Sequence, residues 1–217
     1  MLKVFILSIL LSRMPHKLDK ETWPERVTRL DKTAGALDSA IQRATCEGQG
    51  EECKRSWRGN PKVLAKLMIT TMIHESALAQ HVHENRCYLK LGECDSDRYY
   101  SKAQGKWIYY QKAFSLWQIQ KGDDISSEDW AIIKRGVDGT EVAAWHATRR
   151  MASAYRACGT LGGAISRYAR GNGCHIWEGS KERMVYYYAL DKYSKRRLEK
   201  RTAAAKTRSE KQNPNVD

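Results

Sequence analysis

The carboxylate of Glu75 stands where charge is expensive. Between Lys66 and Gln80 every residue except His74 and Glu75 is apolar, hydroxyl-bearing or small. A helix advances about 100° per residue, which puts Leu64, Leu67, Met68, Thr71, Glu75 and Leu78 in one stripe. Ile69 and Ile73 make the opposite side apolar as well, and a helix apolar on nearly all sides belongs at the centre of a domain. Glu75 is therefore expected to be buried or on the floor of a cleft cut down to that helix. Removal from water disfavours the charged form and raises the pKa of a carboxyl group. A protonated carboxyl in an apolar wall is what general-acid cleavage of a glycosidic bond requires. The competing expectation is a glutamate paired with an Arg or Lys, or one turned to solvent at the helix end.

The other reactive groups form weaker patterns. His74, His81 and His83 cluster with Glu84, but the run HESALAQHVHE lacks the two histidines four apart, with glutamate between, of a helical zinc site. No metal and no cofactor is expected. No serine lies in a G-x-S-x-G turn, and no cysteine has the context of a nucleophile. A second carboxylate would separate hydrolysis from transglycosylation. Glu84, Glu93, Asp95, Asp97, Asp123 and Asp124 are available, although position along the chain places none of them opposite Glu75.

The elements that must hold Glu75 are helices. TWPERVTRLDKTAGALDSAIQRA sets Val27, Leu30, Ala34, Leu37 and Ile41 on one face, with Pro24 early. The helix carrying Glu75 opens with Asn60 as N-cap and Pro61 as its first residue. A third begins near Thr140 and stops at Gly159. TLGGAISRYARG and SKERMVYYYALDKYSKRRLEKR supply two more. Tyr186, Tyr187 and Tyr188 are read as packing residues of the last helix. Alternating β-branched runs are lacking, so the fold class is all-α with a small hairpin in the middle. Residues 46–59 and 81–112 read as loops.

Three segments in order, HESALAQ at 74–80, AFSLWQIQ at 113–120 and GGAISRYARGNG at 162–173, resemble the three motifs of the lysozyme-like lytic transglycosylases and goose-type lysozymes. The resemblance covers roughly residues 60–190. It implies a lysozyme-like domain with a central catalytic helix, acting on the MurNAc–GlcNAc β-1,4 bond of peptidoglycan. Glu75 matches the catalytic acid/base and Ser76 the serine beside it. Leu116, Trp117, Gln118 and Ile119 match the segment lining the glycan cleft, and Tyr168 the tyrosine near the catalytic carboxyl. Three positions depart from the pattern: Ser115 replaces a glycine, Trp117 a methionine, and Ala169 the asparagine after the tyrosine. The separation of Glu75 from Trp117 is long, which makes residues 81–112 an insertion bordering the cleft. No acid occurs from Tyr99 to Gln120, where goose-type enzymes carry an aspartate. That leans the expectation toward a lytic transglycosylase with one carboxylate, with a hydrolytic muramidase, or a catalytically silent wall-binding module, as alternatives.

The 217 residues include 38 Lys+Arg against 25 Asp+Glu, a net charge of +13. Such a surplus favours polyanionic partners such as an anionic cell wall. No helix-turn-helix, zinc-finger or RNA-binding signature appears, so no specific nucleic acid is expected. MLKVFILSILLS has the shape of the first two regions of a secretory signal, is too short to span a bilayer, and is followed by no small-x-small cleavage site. Six cysteines fall into neighbouring pairs, Cys46 with Cys53, Cys87 with Cys94 and Cys158 with Cys174, which read as three local disulfides. Leader and disulfides point to a secreted, periplasmic or envelope protein, or to a phage virion. The expected division is an N-terminal segment at 1–20, a catalytic domain at 21–194 and a basic tail at 195–217.

Overall fold

The computed structural model describes residues 1–13, 19–47, 53–87, 95–171 and 173–190. The order of elements is α1 (Leu2–Ser12), α2 (Trp23–Thr45), α3 (Pro61–Ser76), α4 (Gln80–His83), β1 (Ser96–Ser101), β2 (Lys106–Gln111), β3 (Ala113–Phe114), β4 (Ile119–Gln120), α5 (Ser127–Ile133), α6 (Thr140–Cys158) and α7 (Leu161–Arg170). A last helix, α8, runs over residues 178–190. The expected all-α class is met: the described chain is mostly helical, with two short antiparallel hairpins, β1–β2 and β3–β4.

The helix boundaries follow from local chemistry. Thr22 and Glu25 form a reciprocal capping box at the start of α2, with Pro24 in the first turn. Asn60 accepts from the Lys62 N–H at 2.8 Å and Pro61 opens α3. Thr160 caps α7 through the Gly163 N–H at 3.1 Å. The helix α6 stops at Gly159, whose φ of +69° is left-handed.

Helix α3 is the centre of the core. Leu64, Ala65, Leu67, Met68, Ile69 and Met72 are all fully buried. It packs against α1, α2, α6 and α7, which is why its sequence is apolar all round. The expected inner face of α2 is also the buried one, at Leu30, Ala34, Leu37 and Ile41. Ile6, Ile9 and Leu10 of α1 join the same core cluster, so the boundary expected at residue 20 falls inside one packed unit. Arg26 and Arg29 reach Glu21 at 3.0 and 2.5 Å, and Arg29 also donates to the Leu78 carbonyl at 3.1 Å. The first two brace the start of α2 against the segment before it, and the last ties α2 to the chain just past the end of α3.

Two cysteine pairs are closed as expected, Cys46–Cys53 and Cys158–Cys174. Cys87 is disulfide-bonded, but Cys94, its expected partner, lies outside the described residues, as does the tail expected from 195 onward. Among the described residues no helix is long and apolar enough to cross a membrane.

Candidate functional site

Glu75 occupies the last turn of α3. The helix ends one residue later because Ala77 and Leu78 both turn left-handed, with φ of +49° and +58°. That break opens the end of a core helix onto a cleft of about 920 Å³. The cleft is lined by Glu75 and Asp95, by Gln118 and Gln120, by Asp124, by Tyr168, and by residues of α6 and α7. The side chain of Glu75 keeps 20% of its surface exposed, so it is the floor of a cleft rather than a sealed core group.

Three effects set its proton affinity. Burial raises the pKa of Glu75 above the ordinary carboxylate value and is the largest of them. Arg183, on α8, opposes it by donating from Nη2 to Glu75 Oε1 at 2.6 Å. The negative charge of Asp95 pushes in the same direction as burial, and the net result is a raised pKa. The sequence thus held both expectations at once: a desolvated acid and an acid paired with arginine.

Arg183 is delivered by α8, which lies along α3. Tyr186 meets His74 edge to face at 4.7 Å between ring centroids, and Lys66 lies 4.1 Å over the ring of Tyr187. Tyr187 is buried as the packing reading required, while Tyr188 is exposed. His74 has its pKa lowered to about 4, first by burial and then by Arg183, so it is neutral beside Glu75. Among the described residues no group of His, Cys, Asp and Glu is arranged to hold a metal ion. His83 is instead a core residue, bonded to Thr140 Oγ1 at 2.7 Å and lowered to about 3 by burial.

The cleft gathers only part of the residues assigned by the resemblance. Gln118 and Tyr168 line it together with Glu75. The Tyr168 hydroxyl donates to the Trp117 carbonyl at 3.2 Å, and burial together with the charge of Glu75 raises its pKa. Ser76, Leu116 and Trp117 do not reach the cleft. Ser76 Oγ donates to the Met72 carbonyl at 2.8 Å and accepts from the Leu78 N–H, so it shapes the helix end. Leu116 and Trp117 are buried in the core cluster. Ser115, standing where the resemblance calls for glycine, has a φ of +68°, a left-handed conformation that glycine adopts without strain.

Asp95 is the site residue whose place the sequence could not give. It precedes β1, and the hairpin returns Lys112 to it, with the Lys112 N–H donating to the Asp95 carbonyl at 2.9 Å. The Gln118 side chain accepts from the Asp95 N–H at 3.1 Å, and Gln120 Nε2 donates to its carboxylate. The acid-free stretch from Tyr99 to Gln120 is real, but the reversal at β1–β2 carries an acid from outside that stretch to the cleft. Arg150 holds Asp124 in a two-pronged pair at 2.9 and 2.6 Å, and this lowers the pKa of Asp124. Arg183 also went unassigned, although it lies on the stripe of α8 that includes Ser180, Tyr187 and Leu190. An ionisable residue on the buried face of each of two helices is a signal that the two will meet.

The arrangement can deliver a proton from a desolvated carboxyl into an open cleft that also holds the carboxylate of Asp95 and the two amide side chains bonded to it. Comparison with protein-family models, with curated proteins and with solved structures finds no match to this chain.

Proposed function

We propose that the chain cleaves the glycan strands of peptidoglycan at the MurNAc–GlcNAc β-1,4 bond, with Glu75 as the acid. The observation that carries this reading is a mostly buried carboxyl at the end of a core helix, on the floor of an open cleft of about 920 Å³, where burial raises its pKa. The ordered resemblance to the lysozyme-like enzymes supports it, and a lysozyme-like fold is part of the proposal. Glu75 protonates the glycosidic oxygen as the bond to the anomeric carbon breaks. The resulting carboxylate then serves as a base. If it takes the proton of the sugar's own 6-hydroxyl, a 1,6-anhydro ring closes, which is transglycosylation. If water is the nucleophile, the product has a reducing end. Asp95 in the cleft supplies the second carboxylate that a water-activating mechanism uses. Its placement therefore favours the muramidase outcome over the one-carboxylate route that the spacing of acids alone suggested. Two disulfides support a secreted or envelope setting.

Arg183 favours a second reading, a catalytically silent wall-binding module in which Glu75 is a structural ion-pair partner. Zymography on purified sacculi separates the two. Wild-type protein clears the gel under the first reading, and Glu75→Gln, nearly isosteric, loses about 10²–10⁴-fold in rate. Clearing by Glu75→Gln at the wild-type rate refutes the assignment of the acid, and no clearing by either protein leaves the silent module.

A further inference from the structure

Five arginines and no lysine line the cleft, in a chain that has 19 of each. Arg149, Arg150 and Arg156 come from α6, and Arg167 and Arg170 from α7. Positions 149 and 156 are two helical turns apart and share a face, as do 167 and 170 across one turn. Arg150 is committed to Asp124. Arg170 lies over the ring of Trp177 at 4.1 Å, which fixes its plane. Arg149, Arg156, Arg167 and Arg170 have no ion-pair partner among the described residues.

Counting Glu75, Asp95 and Asp124 as ionised, the lining carries five positive and three negative charges, or +2. Like charges gathered in a concavity repel one another and focus their field outward. Guanidinium groups present flat paired donors that match carboxylate and phosphate oxygens, which lysine does not. Neutral sugar hydroxyls can accept single hydrogen bonds from such groups, but only an anion also balances the surplus charge.

We infer that the α6–α7 wall is an anion-reading track that engages carboxylate or phosphate groups carried along the glycan. The inference rests on the proposed glycan-cleaving site and narrows its substrate to acidic strands. Chitin-like chains share the backbone but lack the charges, and they bind without help from the wall.

Binding of the full-length protein is measured by co-sedimentation with four probes. These are purified sacculi, sacculi with amidated carboxyls, sacculi stripped of phosphate polymers by hydrofluoric acid, and fluorescent chito-oligosaccharide by anisotropy. The variants are Arg156→Gln/Arg167→Gln and a charge-matched control on an exposed turn elsewhere, Lys134→Gln/Arg135→Gln. The cleft variant is expected to bind untreated sacculi about tenfold more weakly, and the control less than about twofold. If amidation removes the difference, the wall reads carboxylates; if phosphate stripping removes it, the wall reads phosphates. Equal losses in the two variants overturn the inference, and so does an equal loss on chito-oligosaccharide. Tighter binding to a DNA duplex than to sacculi, lost in the cleft variant, also overturns it in favour of a polynucleotide track. Charge-dependent binding without clearing of sacculi removes the enzyme reading and keeps the wall. Clearing without charge dependence does the reverse.

Discussion

Arg183→Met tests how the acid is tuned. The Arg183 Nη2 to Glu75 Oε1 distance of 2.6 Å places the two charge centres about 4 Å apart. At the effective dielectric of a protein boundary their attraction is about 4 kcal/mol. The side chains keep 12% and 20% of their surface exposed, so solvent screening and the cost of desolvating both ions reduce the net value. A coupling of about 1–2 kcal/mol at neutral pH is expected from a cycle of wild type, Glu75→Gln, Arg183→Met and the double variant in urea unfolding.

The pH dependence follows from the direction of the Glu75 shift. Its folded pKa is raised, so between the ordinary carboxylate value and the folded one the native state holds a proton that the unfolded chain has lost. Glu75 therefore makes stability fall as pH rises through that window. Arg183 limits the raise, so removing it widens the window and deepens the fall. The deficit of Arg183→Met should be near zero at about pH 4, where Glu75 is neutral in both proteins, and largest near pH 7. The same change keeps Glu75 protonated to higher pH, so the alkaline limb of sacculus clearing moves upward. A coupling near zero at both pH values, or a limb that moves downward, refutes the reasoning.

Asp95→Asn tests the product. Digests by the wild type are expected to contain mostly reducing muropeptides, one water heavier than anhydro products, and the variant is expected to lose them, as mass spectrometry can read. Removing the Cys158–Cys174 bridge by paired serine substitution opens a link between residues 16 apart. It should lower unfolding free energy by about 3 kcal/mol in the chain-entropy view, measured by urea titration. Gly139→Ala would set a Cβ 2.2 Å from the Ile132 carbonyl oxygen, where α6 begins against α5. The backbone must move, and a loss of about 1–3 kcal/mol in thermal or urea unfolding is expected.

How much of this was legible varies with the range of the interaction. Asn60, Pro61 and Gly159 marked helix ends because capping is settled within one turn of chain. Thr140, read as a possible cap, is instead the first residue of α6, with Gly139 at the cap position and its own hydroxyl bonded to the Val137 carbonyl and to His83. Apolar periodicity placed Glu75 at a break in the core because burial follows from the stripe it shares with Leu64, Leu67 and Met68. Ser115 hid a backbone requirement that a glycine would have advertised, since a left-handed φ leaves no trace in a serine. Trp117 shows the opposite failure. The resemblance set it in the segment lining the cleft, yet Trp117, in the turn between β3 and β4, is buried in the core. Asp95 could not be placed and Arg183 left only a helical-stripe signal for a common reason: each comes to the site through the packing of a distant element, a hairpin for one and α8 for the other.

The distance along the chain between Glu75 and Arg183 is 108 residues. During synthesis, which proceeds from the N-terminus at about 5–20 residues per second, α3 is complete well before α8 exists. Until α8 docks, Arg183 is not beside Glu75, and burial raises the pKa of that carboxyl without the opposing charge. The contact that opposes the raised pKa of Glu75 therefore joins two segments made at well-separated times, and the acid is fully tuned only once α8 is in place.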